Sequence, residues 1–243
     1  MRRIEGDSGE KAFMQQLDKA IDSDGALIEG SGDYEVYWYF DTESEGRPLL
    51  FVHSVNAAPS AIELKPLFQH FRVSRPVFAP DLPGFGRSTR RVGTMTPSDF
   101  AKQIASIIDE TTPSEPPDVI ALSLGCEFVA RAVVEFGAAV RSLTFISPTG
   151  FSSRQPPTPQ AQRRLKRLFD FAGFGRGAFK LLRLERSIRY FYGMNFSGFV
   201  PNELVTYALK TTRQSGAHEM PLQFLSMGSV SYTHLTLPTN RCV

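Results

Sequence analysis

Cysteine is almost missing from these 243 residues, with only Cys126 and Cys242 present. Two thiols so placed make neither a disulfide framework nor a zinc site, and they fit a reducing cytoplasm. Histidine is scarce too, with four copies: His53, His70, His218 and His234. No run approaches the roughly 18 unbroken apolar residues of a membrane span. The opening MRRIEGDSGEKAFMQQLDKA is charged where a secretory leader would be apolar. A net charge of only +2 gives no reason to expect a nucleic-acid partner. Neither a phosphate-cradling loop nor a metal-ligand cluster is found, so no cofactor or metal is expected. Apolar and aromatic residues, in contrast, reach 42% and 12%, enough to fill the core of a soluble globular protein.

Order along the chain points to a fold class. After a polar, helix-compatible start (10–21), YEVYWYF (34–40) and PLLFVHS (48–54) read as strands separated by a turn-rich stretch. The second is apolar without alternation, the pattern of a strand buried on both faces. SAIELKPLFQHF (60–71) has helical spacing and a Ser60–Glu63 capping-box pattern, with Pro66 forcing either a kink or a later start. RPVFAP is a short strand running into the turn DLPGFGRST. Thr96, Pro97 and Asp99 open a helix, PDVIALS is another apolar strand, CEFVARAVVEFG a helix ended by glycine, and VRSLTFISP a further strand. Such alternation predicts an α/β fold: a mostly parallel sheet with helices on both faces. From about Gly150 the strands stop, and PQAQRRLKRLFDFA, RGAFKLLRLERSIRYFYG and PNELVTYALKTTR are helical in period. The chain divides accordingly into a core (1–150), an all-helical insertion (151–229) and a tail (230–243).

Chemistry is suggested by IALSLGCEF (120–128). A serine hydroxyl is a poor nucleophile unless it is presented to the substrate with a base in reach. A sharp strand-to-helix turn does the presenting, provided small residues two before and two after let strand and helix pack closely. Ala121 and Gly125 flank Ser123 at those positions. A helix-capping serine is the plainer alternative, but a capping box would want Glu or Gln at 126, where Cys126 stands.

With these pieces assembled, the chain resembles the α/β-hydrolase family, in the branch that carries a helical cap. Three segments carry the resemblance: LLFVHSVN, DLPGFGRST and ALSLGCEF. It implies that Ser123 is the nucleophile and that the backbone N–H groups of Val55 and Leu124 form an oxyanion hole. It also places His53 and Ser54, where the family has His-Gly, on the substrate-binding side, with His53 holding the loop by hydrogen bonds. Ser54 in place of glycine is a departure that bears on the Val55 assignment. Relatives that open epoxides or displace halide use an aspartate at the elbow, so a serine implies acyl transfer, with ester or thioester hydrolysis the default. Carbon–carbon bond hydrolysis, perhydrolysis, acyltransfer and a non-catalytic ligand-binding role stay open.

The resemblance also implies a triad in the order serine, acid, histidine. His53 and His70 precede Ser123, and His218 lies inside the helical insertion. The acid and the histidine are therefore expected beyond this sequence, on two further strand–helix units of roughly 30 residues each. The stretch VSYTHLTLPT (230–239) resembles a translated sequencing adapter, which would make His234 foreign to the protein.

In this family the insertion roofs the active site. Phe169, Phe171, Phe174, Phe179, Phe191, Tyr192 and Phe196 suit either an apolar ceiling for a small-molecule substrate or plain packing. Residues 151–200 hold ten Arg and Lys against two acids. A solvated helix face is the expected reason, with attraction of an anionic substrate or an acidic membrane as alternatives. GFGRGA (173–178) superficially matches a dinucleotide fingerprint but follows a basic helix, so it is set aside.

Overall fold

LLFV and DVIAL, two of the apolar runs read as buried strands, lie side by side in one sheet of the computed structural model, as β3 (Leu49–Val52) and β5 (Asp118–Leu122). Residues 17–111, 115–149, 174–194 and 196–225 are described, with isolated positions 160, 164 and 167. The other strands are β1 (Asp24–Glu29), β2 (Glu35–Asp41), β4 (Val77–Pro80) and β6 (Ser142–Ile146), in the spatial order β1-β2-β4-β3-β5-β6. β4, β3, β5 and β6 run parallel, whereas β2, at one side, is antiparallel to both of its neighbours, β1 and β4. The sheet is thus mixed and mostly parallel, as expected. β1 was not foreseen: DGALIE sits at the sheet margin with mostly exposed or half-exposed side chains, and so shows no buried pattern.

Seven helices are found among the described residues: α1 (Lys65–Phe71), α2 (Pro97–Thr111), α3 (Gly125–Phe136), α4 (Phe174–Leu182), α5 (Glu185–Gly193), α6 (Asn202–Thr211) and α7 (Glu219–Leu225). Side chains alternate across the strands, and each face carries its own core. Leu50, Val52 and Phe78 join α2, α3 and α7, where Phe100 and Phe128 stack at 4.7 Å and Phe224 lies across both. Leu49, Phe51 and Ala79 face the other way, toward Phe68 of α1, Ile188 and Tyr192 of α5, and Leu204, Val205, Tyr207 and Ala208 of α6. Helices from the predicted insertion therefore bury their apolar residues in both cores.

Capping chemistry explains one helix start and corrects another. Asp99 Oδ2 accepts from the N–H and hydroxyl of Thr96, at 2.7 Å each, and fixes the entry to α2. Ser60 makes no side-chain cap. Residues 61–64 form a 3-10 turn, α1 starts at Lys65 with Pro66 in its first turn, and Glu63 bonds elsewhere. The predicted helix over 176–193 is two helices, broken at Arg183–Leu184. Residues 17–21 are not helical, and the rest of that predicted start lies outside the described residues. Gly173 does too, but 174–178 falls within α4, so the glycine pattern there is no phosphate loop. No helix among the described residues is long and apolar enough to cross a membrane.

Because β4, β3, β5 and β6 point the same way, the segments after them, 81–90, 53–60, 123–124 and 147–149, leave one edge of the sheet. That edge is where open α/β sheets gather ligand-contacting residues.

Candidate active site

β5 ends at Leu122 and α3 starts at Gly125, so the chain reverses within two residues. Ser123 takes the strain with φ +53°, a left-handed conformation that costs a residue with a Cβ about 1–2 kcal/mol. Its N–H donates to Ile146 O at 2.9 Å, and its carbonyl accepts from Cys126 N–H and Thr149 N–H at 3.1 and 3.2 Å, which ties the bend to the end of β6. The half-buried hydroxyl meets Thr149 Oγ1 at 3.4 Å. The flanking small residues are sterically required: Ala121 is fully buried, and a Cβ on Gly125 would stand 2.5 Å from His53 O.

The segment after β3 is held from beneath by His53, which is fully buried. Leu82 N–H donates to Nε2 at 2.9 Å, so Nδ1 carries the proton and donates to Ser54 O at 2.6 Å. Burial lowers the imidazole pKa to about 4, and the ring is neutral. With both nitrogens occupied and no exposed surface, the His53 ring ties the segment after β3 to the segment after β4. Ser54 is nearly buried and is not among the positive-φ residues, so replacing glycine there strains no backbone. Its N–H donates to Glu63 Oε2 and its hydroxyl accepts from Asn56 Nδ2, both at 3.0 Å.

Between these fixed points the Val55 N–H bonds no acceptor among the described residues. The same is true of the Leu124 N–H, directly after Ser123. These two amides, one directly after the strained serine and one on the loop after β3, are groups of the type that can stabilise a developing oxyanion.

The segment after β4 is organised by Asp81, a residue that sequence reading passed over. Its buried carboxylate accepts from Ala61 N–H at 2.8 Å, Arg87 N–H at 2.9 Å and Tyr39 hydroxyl at 3.4 Å. Burial raises its pKa while these donors oppose the rise. Gly86, at φ +51°, allows the approach, because a Cβ there would lie 2.0 Å from the Asp81 carboxyl carbon. The legible signal was an acid five places before that glycine, in a turn otherwise read only as irregular. Arg90, also buried, donates to Gly84 O and Gly86 O and closes the turn.

No histidine among the described residues bonds the Ser123 hydroxyl. His70 lies exposed on α1, and the His218 ring packs 6.2 Å from that of Phe179. His234 and the adapter-like stretch lie outside the described residues. Cys126 is no rival nucleophile, because burial pushes its thiol up to about 12. Of the aromatic residues in the insertion, Phe179 and Tyr192 are buried and Phe191 and Phe196 exposed, while Phe169, Phe171 and the Phe174 side chain lie outside what is described.

Residues 47–205 match the protein family described as the alpha/beta hydrolase fold. Solved structures agree in shape at low identity. A probable hydrolytic enzyme from Pseudomonas aeruginosa PAO1 is 14% identical with a TM-score of 0.63, over 91% of this chain and 70% of that one. A thermophilic esterase from Thermogutta terrifontis is 18% identical with a TM-score of 0.58, over 86% and 74%. The haloalkane dehalogenase DatA from Agrobacterium tumefaciens C58 is 14% identical with a TM-score of 0.59, over 83% and 67%. A comparison with curated proteins finds no match.

Proposed function

Since this chain belongs to the alpha/beta hydrolase fold family, we propose that it is a serine hydrolase that cleaves a small ester-like or acyl substrate through Ser123. One observation carries the reading: a serine held at φ +53° on a two-residue strand-to-helix turn, followed by an unoccupied N–H. Its Oγ attacks the substrate carbonyl carbon, the carbonyl π electrons move onto oxygen, and the hydroxyl proton passes to a base. The Val55 and Leu124 N–H groups receive the oxyanion. Each such donor is worth about 3–4 kcal/mol of transition-state stabilisation. Collapse expels the leaving group, and water hydrolyses the acyl-serine. The reading calls for no metal or cofactor. Helices of the insertion, α4 to α6, are assigned the role of a cap over the site. A carboxylate-based halide displacement is not proposed, because position 123 offers a hydroxyl.

The base is assigned to a residue outside those described, so the test supplies one. A fluorophosphonate probe with imidazole in the buffer should label the wild-type chain and spare Ser123→Ala. Equal labelling of the two would end the nucleophile assignment. A second reading, ligand binding without turnover, is favoured by the contact of the Ser123 hydroxyl with Thr149 Oγ1. Absence of labelling even with imidazole would support it.

A further inference from the structure

The 3-10 turn at 61–64 places a carboxylate against the segment after β3 in a way the elbow alone does not require. Glu63 Oε2 accepts from Ser54 N–H at 3.0 Å, and Oε1 accepts from Asn56 Nδ2 at 2.6 Å. One side chain therefore grips the residues on both sides of Val55. The grip is closed further by Asn56, which donates to Ser54 Oγ and accepts from Ala58 N–H at 2.8 Å.

Both Glu63 oxygens act as acceptors, which the ionised form does best. Burial opposes that form, and the charge of Asp81 adds to the opposition. No lysine or arginine forms an ion pair with Glu63 among the described residues. Tyr192 of α5 feels the same carboxylate, and its buried hydroxyl has no hydrogen-bond partner among the described residues. The Glu63 carboxyl thus makes two accepted bonds to the loop that no helix cap accounts for.

We propose that Glu63 is the positioning residue of the oxyanion loop: its carboxylate, bonded to Ser54 and Asn56, holds the Val55 N–H toward the oxygen of the attacked carbonyl. This rests on the reading of Val55 and Ser123 given above. Glu63 itself touches no reacting atom.

The test compares wild type with Glu63→Gln, Glu63→Ala and Asn56→Ala. It follows fluorophosphonate labelling of Ser123 in imidazole buffer, and backbone amide hydrogen exchange across 54–58. Glu63→Ala should label roughly 10- to 100-fold more slowly, below the loss for removing a donor outright, with faster exchange at 54–58 and unchanged exchange in β5 and α3. Glu63→Gln, which keeps one acceptor oxygen, and Asn56→Ala, which frees one arm of the grip, should fall between. If Glu63→Ala does not fold, the other two variants carry the test. Labelling at the wild-type rate in all folded variants overturns the inference, as does unchanged exchange at 54–58. Failure of the underlying reading shows already in the wild type, as labelling that does not depend on Ser123. The inference then falls with it, since the Val55 amide has no oxyanion to meet.

Discussion

Replacing Gly125 with alanine measures how closely the elbow is built. The new Cβ would lie 2.5 Å from His53 O and 3.2 Å from both Val52 O and Val52 Cγ1. Two of these atoms are backbone at the end of β3, where Val52 is in register with Ala121 of β5, so the strand cannot yield without disturbing the sheet. The helix cannot retreat freely either, because Phe128 of α3 is stacked on Phe100 of α2. Overpacking of this kind costs about 1–3 kcal/mol, and rigid neighbours put it at the upper end. Alanine returns about 1 kcal/mol of helix propensity relative to glycine. The clash wins, with a net loss of about 2 kcal/mol, equivalent to a fall in Tm of roughly 4–8 °C for a chain of this size. Urea or thermal unfolding followed by circular dichroism provides the assay. Gly177→Ala in α4 is the internal control: nothing lies within 4 Å of its added Cβ, so alanine should stabilise it by about 0.5–1 kcal/mol. A Gly125→Ala protein as stable as wild type, with Gly177→Ala behaving as expected, would refute the close-approach argument.

Asp81→Ala removes the acceptor of two backbone N–H groups and an opposite charge for buried Arg90, and should destabilise by about 3–5 kcal/mol in the same unfolding assay. A loss below about 1 kcal/mol would mean that Asp81 does not organise the turn. Glu127 of α3 is fully buried beside Arg131, and burial pushes its pKa up to about 7. A raised carboxyl pKa means that the folded state prefers the protonated acid. This contribution is therefore complete below the ordinary carboxylate range and is lost as pH rises through about 7. Glu127→Gln should flatten stability between about pH 5 and 8 relative to wild type, and parallel curves for the two proteins would count against the assignment.

The central strands were legible because burial on both faces writes an unbroken apolar run, as in LLFV. The elbow was legible because its steric demands fall on near neighbours, Ala121 and Gly125, which any reading of the sequence places beside Ser123. Three features were not. β1 owes its existence to pairing with β2 and buries little of its own surface. Glu63 stands three places after Ser60, a spacing that fits a helix cap, and only the fold reveals that it reaches back to Ser54 and Asn56. Asp81 takes its donors from Ala61, twenty residues earlier in the chain, and from Arg87, so no local pattern announces it.

Three stretches of chain converge on His53. Its ring bonds Ser54 O on one side and Leu82 N–H on the other, and its carbonyl oxygen forms the wall against which Gly125 rests. A displacement of any one of these stretches is therefore transmitted to the remaining pair, much as a rivet through overlapping plates denies them independent travel. A substitution at position 53 would disturb all three at once.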